Sequence, residues 1–563
     1  MLLIALLCLC LAAVTANPDW TTSQYYAKGV ITLPYGDIVE PFEAWIDPSG
    51  TKSRSAHARG SLRSRIDYYG GMNSILYNNG LGFKMVPTPD HDGKFQMVCY
   101  NVTGGIDFQS VLPDINDYKL INNKVPCSQD SNLTCNLYSF KETIGKKVNE
   151  YYMYIYGNST PKNFYFLGFD SLFGSHYDKY IIRYDEFKLT TIPDAIFNEY
   201  MNFEKCIGFP GPGATRTFLD PMSEFIGGEN SEEREKDSNS EFEDFKQKYS
   251  KTYDTYHDHE SRKSTFRQAR RFINSKNREN LGYTLAINHL ADHTEAELYA
   301  RNGHRYSGKG ESHRLMDYEV PLSDIDIPDT MNWTAKGAVN PPKDQGICGS
   351  CWSFGTTGAL EGGYFVLNDK LLDLSEQSLM DCSWDQGNNG CDGGETERVG
   401  EWLLEKDKNH CVVTRKEYAS AANQSDVMRG YLGADGVCHW GKTDKELCVR
   451  IKDYTVSPKG NVGALRQFSA MKGPIQVAID ASRPTFSFYS SGVYYDMKCK
   501  NGVNDLDHSV LLVGYGTENG QQYWLVKNSW STYWGDNGYI KISTKDNNCG
   551  VATDAVFFTI VNE

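Results

Sequence analysis

The sequence is poor in positive charge. Its 57 Lys and Arg residues face 72 Asp and Glu residues, which gives a net charge of −15 at pH 7. This deficit disfavours binding to nucleic acids and to anionic membranes, because their phosphates attract basic surfaces. Long apolar runs are also lacking, since no stretch after residue 16 approaches the roughly 18 residues of a membrane-spanning helix. We therefore expect a soluble protein with neither a nucleic-acid partner nor a membrane span.

The one apolar run lies at the start, where residues 1–16 read MLLIALLCLCLAAVTA. It is too short to cross a bilayer, and it places Val14 and Ala16 at the −3 and −1 positions of a cleavage site. We predict a signal peptide, and hence the secretory pathway with a final location in the lysosome or outside the cell. Asn-x-Ser/Thr triplets fit this route. We expect glycans at Asn101, Asn132, Asn332 and Asn423.

Cysteine provides a second indication of the compartment. The chain has 15 cysteines, of which Cys8 and Cys10 lie in the predicted signal and 13 remain. In an oxidising compartment twelve of these can pair and one is left over. Four of the thirteen lie in the N-terminal region and allow two disulfides in any of three connectivities: Cys99, Cys127, Cys135 and Cys206.

The N-terminal region has a strand pattern. Residues 17–206 are rich in Tyr and Phe and alternate apolar with polar residues, as in KVNEYYMYIYG and KNFYFLGFD. Turn residues separate these runs, so we predict an antiparallel β domain, either a sandwich or a curved barrel. Residues 207–238 begin with Gly and Pro and continue with charged residues. This composition predicts a linker that is suitable for cleavage.

The period becomes helical from Glu241 onward. The run FEDFKQKYSKTY places four aromatic residues on one face of a helix, and a second helical stretch covers residues 258–280. Residues 301–326 are polar and form a predicted activation segment. A compact domain with an apolar pattern is predicted for residues 327–563.

The stretch QGICGSCWSF, residues 345–354, carries two cysteines three positions apart, Cys348 and Cys351. They could form a redox pair or half a zinc site, or one could be a nucleophile and the other a disulfide partner. The following WSFGTTGALEGGYFVL predicts a helix that Ser350 can cap and that Gly355 and Gly358 allow to pack closely. Cys351 would lie at its first turn, where the helix dipole lowers a thiol pKa.

A nucleophilic cysteine needs an imidazole partner and a group that orients it. His508 opens the apolar strand LDHSVLLVGYG, and Asn528 stands at a strand end in WLVKNSWSTYWGDNGY. With Gln345, Cys351-Trp352 and Trp530, these residues resemble the papain and cathepsin L family of cysteine proteases, whose signature includes CGSCW. The resemblance runs from IPDTMNW to CGVATDA and implies a two-lobed α+β protease domain.

The resemblance also answers the question raised by the two cysteines. A redox pair would need a thioredoxin-like βαβ context, and a zinc site would need two more clustered ligands. Neither is found near Cys348 and Cys351, so we expect no metal and no cofactor. The family pattern pairs Cys348 with Cys391, which leaves Cys351 as the nucleophile.

The resemblance assigns a role to each catalytic residue. Cys351 attacks the peptide carbonyl as a thiolate, and His508 forms the ion pair with it and protonates the leaving amine. Asn528 orients the imidazole as Asp does in serine proteases. Gln345 and the Cys351 backbone N–H stabilise the oxyanion. Trp530 covers the bond between His508 and Asn528 and borders the substrate.

Other positions follow by the same resemblance. Two more disulfides are implied, Cys382–Cys438 and Cys499–Cys549, whereas Cys411 and Cys448 depart from the family and could form a fourth. The substrate backbone is expected along Gly393, Gly394 and Asp507. The S2 pocket, which receives the second residue before the cut (P2), is expected to be lined by Glu395, Thr396, Ala478, Leu506 and Asp554.

Two of these S2 residues, Glu395 and Asp554, are acidic, whereas most cathepsin L-like enzymes have an apolar pocket. We hypothesise that the enzyme accepts Arg or Lys at P2 as well as apolar residues. The alternative is that both acids point to solvent, as acids usually do.

The helical stretch before the enzyme resembles the family's inhibitory propeptide, predicted here over residues 239–300. The places of its motif E-x3-R-x3-F-x2-N-x3-I-x3-N are held in register by Asp258, Arg262, Phe266, Ala269, Ile273 and Asn277, and two of the six, Asp258 and Ala269, depart from it. A second motif, G-x-N-x-F-x-D, falls on Ala286, Asn288, Leu290 and Asp292. This implies an acid-activated, cathepsin L-like endopeptidase made as a zymogen and inhibited by its own propeptide. Its partners would be protein and peptide substrates.

The N-terminal β domain upstream of a cathepsin L-like half resembles the two-chain haemocyte cathepsin of arthropods and the counting-factor-associated proteins of slime moulds. The matching stretches are YYAKGVITLPYGDIVEPFEAW, SRIDYYGGM and LGFDSLFGSHYDKY. This implies that the N-terminal chain is retained after a cut in the linker. Two other functions stay open: a binding or signalling protein acting through the β domain, and an inhibitor of other cathepsins acting through the propeptide.

Overall fold

The computed structural model describes most of the chain beyond residue 19. The described ranges are 20, 23–48, 63–71, 74–78, 81–89, 95–102, 109–127, 130–198, 206–208, 220–226, 231–315, 327–406, 408–422, 430–445 and 447–561. The signal peptide predicted for residues 1–16 and the glycan predicted at Asn423 lie outside them. The chain forms two compact units, and each is described by itself.

The first unit comprises Met1–Thr88, Gln96–Ser264 and Arg278–Asn280. Its main feature is one twelve-stranded sheet in the order β12-β6-β5-β4-β3-β2-β1-β11-β10-β9-β8-β7. The strands are β1 Tyr25–Leu33, β2 Ile38–Asp47, β3 Arg63–Tyr68, β4 Ile75–Asn78, β5 Leu81–Pro89, β6 Phe95–Val102, β7 Lys119–Cys127, β8 Asp130–Ile144, β9 Lys147–Tyr156, β10 Thr160–Asp170, β11 Ser175–Leu189 and β12 Ile207–Gly208.

This sheet confirms the predicted antiparallel β domain. Strand β1 alternates buried and less buried residues along its length, as period-2 patterning requires. It pairs antiparallel with β2 on one side and with β11 on the other, whereas the two-residue β12 runs parallel to its neighbour β6. Two disulfides resolve the open connectivity, because Cys99 joins Cys206 and Cys127 joins Cys135.

Ordered elements occupy part of the predicted linker over residues 207–238. The short α1, Asp194–Asn198, precedes it, and β12 lies within it. A 3-10 helix, Pro221–Glu224, is capped by the Asp220 side chain and is buried. The helix α2, Ser231–Tyr249, begins before the linker's predicted end. The helix α3, Tyr256–Glu279, follows and is capped by Thr255.

The second unit comprises Pro89–Phe95, Thr265–Asn277 and Leu281–Glu563. Its helices are α4 Glu295–Tyr299, α5 Cys351–Asn368, α6 Glu376–Cys382, α7 Thr396–Leu403, α8 Arg415–Ala421, α9 Val462–Lys472 and α10 Pro484–Ser487. Its strands are β13 Tyr283–Leu285, β14 Met331–Asn332, β15 Val412–Val413, β16 Cys448–Val449, β17 Ile451–Val456, β18 Ile475–Ile479, β19 Tyr489–Tyr494, β20 His508–Glu518, β21 Gln521–Lys527, β22 Tyr539–Ser543 and β23 Ala555–Ile560.

The second unit is α+β. One sheet runs in the order β13-β19-β22-β21-β20-β18-β23-β17, β14 pairs with β20, and β15 pairs with β16 as a separate ribbon. The central helix α5 packs on β20 and is almost wholly buried in its first three turns. Added Cβ atoms at Gly355 and Gly358 would lie 2.6 Å from Ser509 Oγ and 2.7 Å from Leu511 Cδ2. Glycine therefore allows the close contact between α5 and β20.

The predicted propeptide motifs lie on defined elements of the chain. The six positions of the first motif all fall on α3, where Phe266 and Ile273 are buried. Asn277 closes the connection to β13, because its Oδ1 accepts the Leu285 N–H at 2.8 Å and its Nδ2 donates to the Leu285 carbonyl at 2.9 Å. Strand β13 then pairs with β19, so this segment extends the sheet of the second unit.

Four disulfides tie the second unit together: Cys348–Cys391, Cys382–Cys438, Cys411–Cys448 and Cys499–Cys549. The free cysteine among the described residues is Cys351. Within the described part of the chain, no helix combines the length and apolar character needed to cross a membrane.

Candidate active site

The first turn of α5 positions Cys351. The helix begins at this residue, and its sulfur is fully buried. The capping expected of Ser350 is wrong, because its side chain makes no bond to the helix N-terminus. Its Oγ instead lies 2.6 Å from the hydroxyl of Tyr431, whose O–H donates to the Gln345 carbonyl at 2.9 Å. Ser350 therefore contributes to the bonds around Gln345 instead of capping the helix.

His508 opens β20 and lies beside Cys351 in the fold. The backbone N–H of the next residue, Ser509, donates to Cys351 Sγ at 3.4 Å. His508 Nε2 lies 2.8 Å from Asn528 Oδ1, at the end of β21. The same Oδ1 accepts the Ser529 N–H at 2.8 Å, which identifies it as the carbonyl oxygen. His508 must then carry its proton on Nε2, which leaves Nδ1 free to accept one.

Trp530 and Gln345 complete the group. The ring of Trp530 is buried, with its centroid 4.9 Å from that of His508, and therefore shields the imidazole from solvent. Gln345 is fixed at its carbonyl end, because Oε1 accepts the Ser529 hydroxyl at 2.6 Å. Its amide nitrogen is thereby directed toward the propeptide, where it donates to the Arg301 carbonyl at 2.8 Å. The sequence-predicted set of four converges on one place.

A segment of the pro-region lies on this group. The Gly303 N–H donates to Cys351 Sγ at 3.3 Å, and the next residues continue along the site in an extended form. The His304 N–H donates to the Asp507 carbonyl at 2.9 Å, and the Arg305 N–H donates to the Gly394 carbonyl at 2.9 Å. Gly394 in turn donates to the Gly303 carbonyl at 2.8 Å. The propeptide thus occupies the backbone positions expected for substrate.

The protonation states in this zymogen are the reverse of a reactive pair. Burial raises the pKa of the Cys351 thiol to about 11, although the N–H groups of Ser509 and Gly303 oppose the shift. Burial also lowers the pKa of His508 to about 4, against the effect of the Asn528 bond. The lowered thiol pKa expected from the helix dipole is therefore wrong for this state. Both groups are neutral at neutral pH.

The predicted S2 residues lie together and are buried. Glu395 and Thr396 form the start of α7, Ala478 is on β18, and Leu506 precedes Asp507. The Ala478 N–H donates to the Asp554 carbonyl at 2.9 Å, which places Asp554 against β18. Neither Glu395 nor Asp554 points to solvent, since their exposed fractions are 0% and 1%.

A third carboxylate, Glu397, belongs to this cluster and was missed by the sequence analysis. One oxygen from each of Glu395, Glu397 and Asp554 lies within 4.8 Å of the others. Among the described residues, neither oxygen of Glu397 has a hydrogen-bond partner. Burial and the nearby charge of Asp554 raise the pKa of Glu397 well above its ordinary value. The cluster is therefore an electrostatically costly group of acids beneath the cleft.

The predicted activation segment, residues 301–326, supplies the opposing groups. Arg314 Nη2 lies 2.9 Å from Asp554 Oδ1, and Nη1 donates to the Ser457 carbonyl at 2.8 Å. The imidazole of His304 is buried, with Nε2 3.9 Å from Asp554 Oδ2. The Ser307 N–H donates to Glu395 Oε1 at 2.9 Å. The signal in the sequence for these contacts is the basic and glycine residues of the polar segment that was predicted only as an activation segment.

Comparisons with known proteins agree with this geometry. Residues 327–559 match the description "Papain family cysteine protease", and residues 242–298 match "Cathepsin propeptide inhibitor domain (I29)". A cathepsin L-like peptidase of Aedes aegypti is 41% identical over 329 residues, covering 56% of this chain and 92% of the relative. Procathepsin L of Rattus norvegicus is 39% identical over 334 residues, covering 58% and 92% respectively.

A solved structure shows the same likeness. The digestive procathepsin L2 proteinase from the larval midgut of Tenebrio molitor is 31% identical, with a TM-score of 0.50, and the match covers 57% of this chain and 99% of that one. The six disulfides are typical of proteins that mature in the secretory pathway. The chain belongs to the papain family of cysteine proteases, as a cathepsin L-like peptidase made as a zymogen with an inhibitory propeptide.

Proposed function

We propose that this protein is an acid-activated cysteine endopeptidase that acts through a Cys351 thiolate and a His508 imidazolium. The observation that carries the proposal is the pro-segment on the catalytic group, with the Gly303 N–H on Cys351 Sγ and the Arg301 carbonyl on the Gln345 amide. The Gln345 amide thus donates to a carbonyl oxygen of the pro-segment, as an oxyanion donor would to a substrate.

The reaction proceeds in two displacements once the propeptide leaves. His508 Nδ1 takes the thiol proton of Cys351, and the sulfur adds to the substrate carbonyl carbon. Gln345 and the Cys351 N–H bind the oxyanion, which collapses to a thioester as His508 gives its proton to the leaving amine. Water, deprotonated by His508, then attacks the thioester, releases the carboxylic acid and returns the proton to the Cys351 sulfur.

The propeptide blocks this reaction without being cut. The group that faces Cys351 Sγ is the Gly303 amide N–H, not a carbonyl carbon, so the sulfur has no electrophile. Contact is close, because an added Cβ at Gly303 would lie 1.7 Å from the Gly349 carbonyl oxygen. Burial also raises the pKa of the Cys351 thiol and lowers the pKa of the His508 imidazole, which keeps both groups neutral.

Two groups of the pro-segment, His304 and Glu311, respond to acid at different pH. Burial lowers the pKa of His304 below its ordinary value, with Asp554 opposing and Arg305 and Arg398 reinforcing the shift. The released peptide therefore binds a proton more tightly than the zymogen does. As pH falls below about 6.5, protonation of His304 favours release.

Glu311 responds at lower pH. Burial raises its pKa, but bonds from Arg314 and Tyr306 outweigh this effect and lower it to about 2. Its contribution to the closed state is therefore complete above the ordinary pKa of about 4.5 and is lost as pH falls from there toward 2. The two groups together make release progressive from mildly to strongly acidic pH.

The acid cluster supports a preference for a basic residue at P2. In the zymogen, Arg314 forms an ion pair with Asp554. The imidazole of His304, the residue after Gly303, lies beside the same carboxylate. Release of the propeptide leaves Asp554 without Arg314 and His304, and Glu395 without the Ser307 N–H. An arginine at P2 would restore a charge-assisted bond to a buried carboxylate.

Cleavage of internally quenched peptides with both ends blocked tests the proposal. The acid-treated wild-type protein should cut them inside the chain at pH 5, and untreated protein should not. A Cys351→Ala control should be inactive under both conditions. Release of single residues or dipeptides alone would contradict endopeptidase activity. Turnover by the Cys351→Ala protein would contradict the assigned nucleophile.

The glycan sites and the processing of the chain also stay proposals. Asn101, Asn132 and Asn332 are exposed and thus available to modification. We propose the lysosome or the extracellular space as the destination, and retention of an N-terminal chain after processing.

A further inference from the structure

One inward position on the large sheet carries a charge. The residues of β2 alternate, and Glu40 shares the buried side with Ile38, Phe42 and Ala44. Its exposed fraction is 0%. A carboxylate among apolar neighbours is strongly destabilising unless a cation and hydrogen bonds compensate it. The sheet domain therefore needs a basic partner at this position.

The partner comes from the end of a propeptide helix. Arg278, in the last turn of α3, donates from Nε to Glu40 Oε1 at 2.5 Å and from Nη2 to Glu40 Oε2 at 2.8 Å. This two-bond geometry is the strongest that an arginine and a carboxylate can form. The guanidinium also lies 5.3 Å from the ring centroid of the buried Tyr68, on β3. Arg278 belongs to the same compact unit as the sheet.

The same sheet contacts the start of α3 and the start of α2. The ring of Phe173, between β10 and β11, packs on His257 with centroids 5.0 Å apart. Lys147, at the start of β9, lies 2.6 Å from Glu235 of α2. His257 and Arg278 are separated by about 32 Å along the helix, at 1.5 Å per residue. Contacts at both ends therefore hold the helix to the sheet domain.

The chain between the sheet and these helices adds to the attachment. Met222 and Phe225 are buried, and the Phe225 ring lies 5.3 Å from that of Tyr180 on β11. Residues 220–226 thus pack within the sheet domain just before α2 begins. A cut in the linker on either side of this segment would leave the contacts of Glu40, Lys147 and Phe173 in place.

We propose that the N-terminal sheet domain is a binding platform for the propeptide helices α2 and α3 of its own chain. Glu40 is satisfied only while Arg278 is seated, so the sheet domain and the helices form one stable body. The sheet domain then retains the propeptide after the linker is cut and keeps it available to inhibit the protease. This gives the N-terminal domain a role in control of the zymogen, in addition to the peptidase activity.

Hydrogen exchange of the full chain tests the platform without using enzyme activity. The parent is the Cys351→Ala protein, which cannot process itself. Glu40→Gln in this parent should accelerate amide exchange in α2 and α3 by about tenfold or more, because Arg278 loses its charged partner. The matched control is Glu43→Gln on the same strand, whose ion pair with Lys28 stays on the sheet. Equal exchange in α2 and α3 of Glu40→Gln and its parent would overturn the proposal.

A second pair keeps the test valid if Glu40→Gln fails to fold. Lys147→Glu should also accelerate exchange in α2, and adding Glu235→Lys should restore protection, because this pair is only partly buried. After cutting the parent with a trace of active wild-type enzyme, peptides from α2 and α3 should co-elute with the sheet domain in size exclusion. Separate elution, or no restoration by the reversed pair, would overturn the proposal. The exchange result stands whether or not the peptidase proposal holds.

Discussion

The propeptide is held in two regions by different means. In the cleft, Gly303, His304 and Arg305 make backbone hydrogen bonds at 2.9 to 3.3 Å with Cys351, Asp507 and Gly394. At the sheet domain, side-chain contacts hold it, among them the buried ion pair between Arg278 and Glu40. Backbone bonds depend little on side-chain identity, whereas the ion pair requires two specific residues in one geometry. The first region therefore provides inhibition, and the second provides selective attachment to this chain.

The two regions should also respond differently to substitution. Changes in the cleft should alter inhibition and catalysis without loosening α2 and α3 from the sheet. Changes at Glu40 or Arg278 should loosen α2 and α3 from the sheet and leave the catalytic residues unchanged. The following predictions test this separation, from the largest effect to the smallest.

Gln345→Ala should affect the cleft alone. Loss of one oxyanion donor should lower kcat of the mature enzyme by about 10²- to 10³-fold. The zymogen should stay closed, because Gly303 still donates to Cys351 Sγ. Steady-state kinetics of the acid-activated variant measures the first effect, and probe labelling before acid measures the second. An unchanged kcat would contradict the assigned role of Gln345.

Gly303→Ala should open the cleft while leaving the sheet contacts intact. The new Cβ would meet the Gly349 backbone, which cannot move away cheaply. We expect inhibition to weaken by about 10- to 100-fold, seen as faster labelling of Cys351 at neutral pH. The control is Ser312→Ala, an exposed position in the same segment. Equal labelling rates for the two variants would show that Gly303 is not a tight contact.

Asp554→Asn should change specificity in the mature enzyme. Cleavage of peptides with Arg at P2 should fall by about tenfold relative to cleavage of peptides with Leu at P2, because a charge-assisted bond is lost. Glu397→Gln should shift the ratio in the same direction, and the exposed Asp385→Asn should leave it unchanged. A P2-scanning peptide library measures the ratio. Poor cleavage at Arg in the wild-type protein, with no change in Asp554→Asn, would refute a basic S2 pocket.

His304→Gln should shift the pH of activation with little effect on its extent. The variant lacks the group whose protonation favours release below about pH 6.5. We expect the activation midpoint to move down by about half a pH unit, measured by the rate of processing between pH 4 and 7. His313→Gln, in the same segment, is the control. A midpoint that moves up, or not at all, would remove His304 from the acid response.

The protease half could be predicted in detail because its chemistry constrains residue types. Cys351, His508, Asn528 and Gln345 each stand where a motif requires them, and the structure brings all four together. The direction of the thiol pKa shift could not be predicted, since it depends on the burial of Cys351 in the folded chain, which a local motif does not encode. Ser350 was misassigned because a serine before a helix has other partners available, here Tyr431.

The sheet domain was predictable only as a class. The alternation of apolar and polar residues in segments such as β9 indicates strands. The order of the strands in the sheet depends on long-range pairing, which this alternation alone does not encode. One feature of the sequence indicates the contacts to α2 and α3. Glu40 is a charged residue at a position where the alternating pattern of the strand expects an apolar one. Its partner Arg278 lies 238 residues later, where no local pattern could indicate the pairing. Glu397 was missed because an acidic residue on a helix, here two positions after Glu395, is usually expected to be exposed to solvent.

The most direct test of the account is labelling with an epoxysuccinyl probe that reacts with cysteine nucleophiles, before and after mild acidification, with intact mass measured for every chain. We predict no label on the untreated protein. After acid, the label should be on Cys351 in a chain that begins near residues 324–329. Label on Cys351 in the unprocessed, unacidified protein would contradict closure by the propeptide, and no label at any pH would contradict the catalytic assignment.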